Sequence, residues 1–259
     1  MKFMQLILSP SKQIKITHHN HVVGTKPVFD SNAKYLLSKL LAMDIEAITK
    51  HLKVSSQLAI HAKQLAYHLC DGSAERGMAI DSFSGVAFKA FHNLGNLSEP
   101  SREFAQSHLL IGSGAYGLLH SNDLICEYRL DFESTLIDDN RASVLSMTNY
   151  WKPIVTPLLI EIAKNDDSIV LNLASKETTD SLDMSILRNS GVNFIDVRFL
   201  HHGPKGLRML PSVELKKMRG SFARFFVDNR CCSIDELKCF GMGNFETVEF
   251  VDNELIFVR

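Results

Sequence analysis

No apolar run in this sequence approaches the length needed to span a bilayer. The opening Met1-Lys2-Phe3-Met4-Gln5-Leu6-Ile7-Leu8-Ser9-Pro10 is too short and too soon interrupted for a secretory signal, and reads as a buried strand. Cysteine is sparse and odd in number, five in 259 residues, which argues against a disulfide scaffold. Cys231, Cys232 and Cys239 lie close together without the C-x-x-C spacing of structural zinc. Small buried thiols in a reducing cytoplasm are the expectation. A surplus of either charge is also missing, the formal net charge being -1. Any affinity for a polyanion must therefore come from a local patch. Proline occurs seven times, never in a run that would form a linker, and no repeat divides the chain. A single domain over residues 1–259 is expected.

Several catalytic signatures are absent too. There is no G-x-S-x-G elbow, no H-E-x-x-H, and no histidine in a motif with a Ser or Cys nucleophile. His18, His19 and His21 form a cluster that reads as a solvated loop rather than a metal site. Neither a metal nor a cofactor is expected.

What is present is a mixed α/β pattern. Phe3–Leu8 reads as the first strand, Ser168–Leu173 and Val192–Leu200 as later buried strands, and 180–189 as a helix between them. Ser31 to about Cys70 reads as helices capped by Ser31, Asp44 and Ser55, with Tyr35, Leu36, Leu40, Met43, Leu58, Leu65 and Leu69 facing the core. Trp151 to Lys164 suggests a helix with Pro153 in its first turn. Ser233–Glu236 fits a capping box, and Thr247–Val251 with Glu254–Val258 a closing hairpin.

Three segments could carry chemistry. Ser9-Pro10-Ser11-Lys12 follows the first strand, where α/β proteins place ligand sites. Gly112-Ser113-Gly114-Ala115-Tyr116-Gly117 could bring bare N–H groups to a phosphate, as a helix-hairpin-helix turn or a nucleotide pocket, or be a plain tight connection. Pro204 to Arg230 holds seven Lys/Arg against Glu214 and Asp228. From Ser212 it reads as a helix with Leu215, Met218, Phe222, Phe225 and Phe226 on one face. Lys217 and Arg224 fall opposite, beside Gly220.

In this order, these pieces resemble the YaaA family. Ser9–Lys12 is similar to the family's Ser-Pro-Ala-Lys. Ser113–Leu119, Asp123 and Tyr128-Arg129-Leu130 resemble its Ser-Gly-Leu-Tyr-Gly-x-Leu, Asp and Tyr-Arg-Leu. Trp151, then Asn172-Leu173-Ala174-Ser175 with Glu177, then Arg219-Gly220, Arg224 and Asn229-Arg230, and finally Gly241 and Phe245, complete the match. Several positions depart from the pattern, among them His120-Ser121 in place of an Arg-Pro and Glu127 in place of the proline before Tyr128. Val86 and Phe88 replace an aspartate and a tyrosine, and Thr178 and Asp180 replace a tyrosine and a lysine.

The resemblance implies a family-specific α/β fold with a central sheet, surrounding helices and a helix-hairpin-helix-like element. It implies a cytoplasmic protein of peroxide stress that limits free iron, protects DNA and binds DNA. The positive cleft would be lined by Lys12, Arg129, Arg219 and Arg224, the hairpin would include Gly114, Tyr116 and Gly117, and Asn172, Ser175 and Glu177 would end the central strand. Two functional expectations follow. The first is sequence-independent DNA binding through the Gly114–Gly117 amides and Lys12, Lys217, Arg219 and Arg224, with Ser9, Tyr128, Arg129 and Ser175 joining the phosphate-binding set. The second is an enzyme acting on a small phosphorylated or nucleotide-like substrate. There Lys12 or Arg219 would stabilise negative charge, Glu177 would serve as acid or base, and Asn172 would line the pocket. A third expectation is a protein whose ancestral activity has decayed and which now acts by interaction.

Overall fold

The computed structural model describes residues 3–17, 23–138 and 143–259. The histidine cluster at His18, His19 and His21 lies outside them. In chain order the strands are β1 (Gln5–Leu8), β2 (Gly77–Met78), β3 (Leu109–Ser113), β4 (Gly117–His120), β5 (Leu124–Ile125), β6 (Thr135–Asp138), β7 (Ser143–Ser146), β8 (Ile169–Asn172), β9 (Asn193–Gly203), β10 (Gly206–Met209), β11 (Thr247–Val251) and β12 (Glu254–Val258). The helices are α1 (Asp30–Ala42), α2 (Ile45–Leu52), α3 (Ser56–Asp71), α4 (Ala79–Ser82), α5 (Val86–Phe91), α6 (Glu99–His108), α7 (Met147–Lys164), α8 (Lys176–Thr179), α9 (Met184–Asn189), α10 (Ser212–Asn229) and α11 (Ile234–Lys238).

Gln-Leu-Ile-Leu of β1 is buried at every position, as expected of a strand covered on both faces. It sits inside an eight-stranded mixed sheet of order β11-β12-β9-β8-β1-β3-β4, with β10 pairing β9. β1 runs parallel to both neighbours, Leu6 facing Leu109 of β3 and Leu171 of β8. From β1 the chain moves outward to β3 and β4, then returns to β8 on the other side of β1 and continues to β9. The order therefore reverses between β1 and β8, the topological position at which open α/β sheets leave a crevice beyond their strand ends. The expected β8–α9–β9 unit is present, with β8 and β9 parallel. The closing hairpin is also present, with Asp252 and Asn253 both at positive φ, as a tight two-residue turn requires. It adds to the main sheet because β12 pairs with β9.

Several helix expectations are corrected. Asp44 and Ser55 do cap α2 and α3, but α1 starts at Asp30 behind Phe29, and Ser31 caps nothing. Tyr35 is 40% and Leu58 43% exposed. The buried seam of α3 joins the expected Leu69 to Ala59, Ala62 and Ala66, three small side chains that suit close helix approach. α7 begins a turn earlier than Trp151, capped by Ser146, so Pro153 and Pro157 both lie inside it. Trp151 is fully buried and donates its Nε1–H to the Gly114 carbonyl at 2.8 Å.

α10 and α5 meet at unusually close range. A Cβ on Gly220 would lie 1.9 Å from the Ala87 carbonyl oxygen, so only glycine permits this crossing. Arg224 then fastens the far end. It donates to the carbonyls of Phe91 (3.2 Å), Gly95 (2.7 Å) and Asn96 (3.2 Å), and pairs with Asp228 at 2.6 Å. The expectation of a solvated cationic face opposite the aromatic stripe fails for Arg224, which is buried because those carbonyls need a donor.

Candidate functional site

The turn after β1 is held from two sides. Ser9 Oγ accepts the Ser175 N–H at 2.7 Å, donates to Ser175 Oγ at 3.0 Å, and lies 3.0 Å from Thr178 Oγ1. These bonds tie the loop after β1 to the loop after β8. On the other side, Lys15 N–H bonds Ser82 O and Ser84 N–H bonds Gln13 O, while Gly85 comes so close that an added Cβ would meet Ser11 Oγ at 2.4 Å. Gly85 leads directly into α5, and α5 is locked to α10. Loop, strand end and two helices thus close around one cleft of about 380 Å³.

Its polar lining includes the cations Lys12, Lys216 and Arg219, the carboxylates Asp131 and Glu177, and the hydroxyls of Ser9, Ser11, Ser175 and Thr178, and its hydrocarbon includes Val86, Phe88, Phe132 and Leu173. Arg219 is partly buried and its Nε has no hydrogen-bond partner among the described residues. Desolvation lowers its pKa, and the nearby Asp196 carboxylate opposes that shift. A guanidinium in this state gains from any oxyanion that reaches it. Lys12 reaches Asp131 at 3.2 Å. Arg129 donates to the Lys12 carbonyl at 3.1 Å and lies 3.9 Å from the same carboxylate. Arg129 thereby braces the Lys12 loop, and its own Nε is also buried without a partner among the described residues.

The expected site residues separate cleanly. Ser9, Lys12, Ser175, Glu177 and Arg219 converge on the cleft. Asn172 sits beneath it, giving its amide to Asp196 at 2.6 Å and accepting from Ala174 N–H at 2.9 Å, so it shapes the turn after β8 rather than facing a ligand. Lys217 is exposed and outside the lining. Lys216, Asp131 and Phe132 line the cleft although the sequence reading did not place them there. Lys216 lies within the basic segment, one helical turn before Gly220, and that spacing is the signal that singles it out.

Of the readings offered for the glycine-rich segment, the plain tight connection holds. It is a β-hairpin, β3 and β4 with Gly114–Tyr116 as the turn, flanked by strands rather than helices. A Cβ on Gly114 would lie 2.1 Å from the Leu130 carbonyl, and Gly117, at φ 71°, packs on the Trp151 ring. Ser113 Oγ takes the Tyr116 N–H at 2.9 Å and lies 2.7 Å from the Tyr128 hydroxyl. Tyr116 accepts from Cys126 N–H at 3.2 Å. Burial raises the pKa of both phenols. Gly114, Tyr116, Gly117 and Tyr128 are therefore core, with no face for a phosphate. A short helix–turn–helix does occur elsewhere, α2 and α3 joined through Lys53 in the left-handed region (φ 54°).

Some of the departing positions lie at the cleft. Val86, Phe88 and Thr178 all line it, whereas Asp180 pairs with Lys176 on the surface at 2.6 Å.

The sequence model of the family described as peroxide stress protein YaaA matches residues 4–250. This chain belongs to the YaaA peroxide stress protein family. A UPF0246 protein of Francisella tularensis subsp. mediasiatica is 28% identical over 264 residues, covering 98% of each chain. A UPF0246 protein of Bacteroides fragilis is 29% identical over 258 residues, covering 98% of this chain and 97% of the relative. The YaaA match spans β1 through most of β11, so every residue lining the cleft lies inside it. Among the described residues of this YaaA-family chain, no helix is long and apolar enough to cross a membrane, and no three His, Cys, Asp or Glu are grouped to hold a metal ion.

Proposed function

We propose that this YaaA-family protein binds the phosphate group of a small phosphorylated or nucleotide-like ligand in the cleft beyond β1 and β8. The observation that carries this is Arg219, whose buried Nε lacks a partner in a cleft shared with Lys12 and Lys216. Three cations around one hollow at the switch point of a parallel sheet suit an oxyanion. Ser9 and Ser175 are already bonded to each other, so they set the shape of the mouth while the cations supply the attraction. In an enzymatic version Arg219 and Lys12 would stabilise developing charge and Glu177 would act as acid or base. Asn172, engaged with Asp196, has no part in it. The setting is the cytoplasm under peroxide stress.

Isothermal titration of the full chain with inorganic phosphate and with AMP tests the reading. Saturable binding that Arg219→Ala and Lys12→Ala each weaken about tenfold or more is the expected result. Absence of binding at millimolar phosphate would sink it.

DNA binding stands as a second reading, favoured by the exposure of Lys12, Lys216 and Lys217. Its supports at Gly114, Tyr116, Gly117, Tyr128 and Arg224 are withdrawn by their burial. What remains is a contact of about three cations, for which the affinity should fall with salt at a log–log slope of about -3. Retardation of duplex DNA that Lys217→Ala weakens, while phosphate titration of that variant is unchanged, would assign binding to the outer surface.

A further inference from the structure

We infer that the ligand of this cleft is amphipathic, a phosphate ester whose body is apolar or aromatic rather than a phosphosugar. The inference rests on the phosphate reading above and adds the class of the remainder of the molecule. The first ground is size. The cleft holds about 380 Å³, within the roughly 300–1,000 Å³ range of pockets for whole organic ligands. A bare phosphate would leave much of it to water.

The second ground is how the lining is divided between elements. The cations come from the loop after β1 and from α10. The apolar part of the lining, Val86, Ala87 and Phe88 of α5 with Phe132 and Leu173, carries no hydrogen-bonding side chain. Phe88 is 2% and Phe132 3% exposed, so both rings are held by the core and back the wall, while Val86 and Ala87, half-buried, give it its open apolar surface. Sugar hydroxyls placed there would lose water without gaining partners, a penalty of about 1–3 kcal/mol for each unpaired group. An apolar ring would instead exchange water contact for hydrocarbon contact.

A third ground is the rigidity of that wall. Gly85 abuts Ser11 and Gly220 abuts the Ala87 carbonyl, while Arg224 secures the α5 end. α5 cannot withdraw to let a polar group be solvated without breaking contacts on both sides. The shape and chemistry of the wall are therefore set before any ligand arrives.

Titration of the full chain with inorganic phosphate, ribose 5-phosphate and phenyl phosphate tests the inference. Phenyl phosphate should bind about tenfold or more tightly than either of the others. Val86→Thr, which keeps the shape and adds one hydroxyl, should reduce that advantage, read as the ratio of phenyl phosphate to inorganic phosphate affinity. Should Val86→Thr fail to fold, Val86→Ser provides the same comparison. Equal affinity for phenyl phosphate and inorganic phosphate, or tighter binding of ribose 5-phosphate, would overturn the amphipathic class while leaving the anion site standing. No binding of any of the three would overturn both.

Discussion

Arg219 and Arg224 share one helix, and their partners set a group open to a ligand apart from one engaged within the fold. Arg224 has its guanidinium shared among three carbonyls and Asp228. Arg219 has a buried Nε without a partner, and burial lowers its pKa. A base whose pKa is depressed by folding disfavours the folded state wherever it stays charged, which for an arginine includes neutral pH. Arg219→Met should therefore stabilise the ligand-free protein by about 1 kcal/mol, seen as a rise of about 2–4 °C in Tm, and remove phosphate binding. Arg224→Ala should do the reverse, lowering stability by about 1–3 kcal/mol as its carbonyls lose their donor, with phosphate affinity unchanged at 25 °C. Thermal melts with and without phosphate distinguish the pair. Equal effects from the two variants would contradict the assignment.

At the scale of elements, the cleft depends on how α10 crosses α5. The aromatic stripe of α10 was readable from spacing, and Phe222 and Phe226 are indeed buried. Its second buried side was not readable, because periodicity finds one apolar face and has no term for a glycine that meets another helix's backbone. Gly220→Ala would place a methyl group against the Ala87 carbonyl. The expected loss is about 1–3 kcal/mol of stability in denaturant titration, despite alanine's better helix propensity. Phosphate binding should weaken with it, since Lys216 and Arg219 move relative to α5. An alanine variant as stable as the parent would show that the crossing relaxes freely. The hairpin at Gly112–Leu119 teaches a similar lesson. Glycines at close spacing suit a phosphate loop, a hairpin turn or a backbone crossing equally, and only Trp151 and Leu130 packed against them decide which.

For the molecule as a whole, the end of the sheet opposite the cleft has its own titratable lock. His108 at the end of α6 packs against the rings of Phe3 and Phe104 at 5.0 and 4.4 Å. Its Nδ1 is 3.3 Å from Gln5 of β1, which also donates to Asp166 at 2.8 Å, just before β8. Burial lowers the His108 pKa below 6.5, with Asp166 opposing the shift. The unfolded chain therefore takes up this proton first as pH falls. The stability contributed by neutral His108 is full above about pH 6.5 and is lost as pH falls toward its folded value. Melting curves between pH 5 and 8 should show a steeper acid decline for the parent than for His108→Gln. Parallel declines would rule out His108 as the source.

The sequence by itself determined the alternation of strands and helices, the buried first strand, the caps at Asp44 and Ser55, the closing hairpin and the family. Those are set by local periodicity, turn chemistry and collinear motifs. It also placed Ser9, Lys12, Ser175, Glu177 and Arg219 as polar residues at strand ends or on a basic helix. Only the tertiary structure decided that these five share a cleft with Lys216, that Arg224 is spent on carbonyls, and that Gly114–Gly117 is sealed inside. Each of those outcomes turns on whether a group's nearest neighbour is water or another part of the chain, and that neighbour comes from distant sequence.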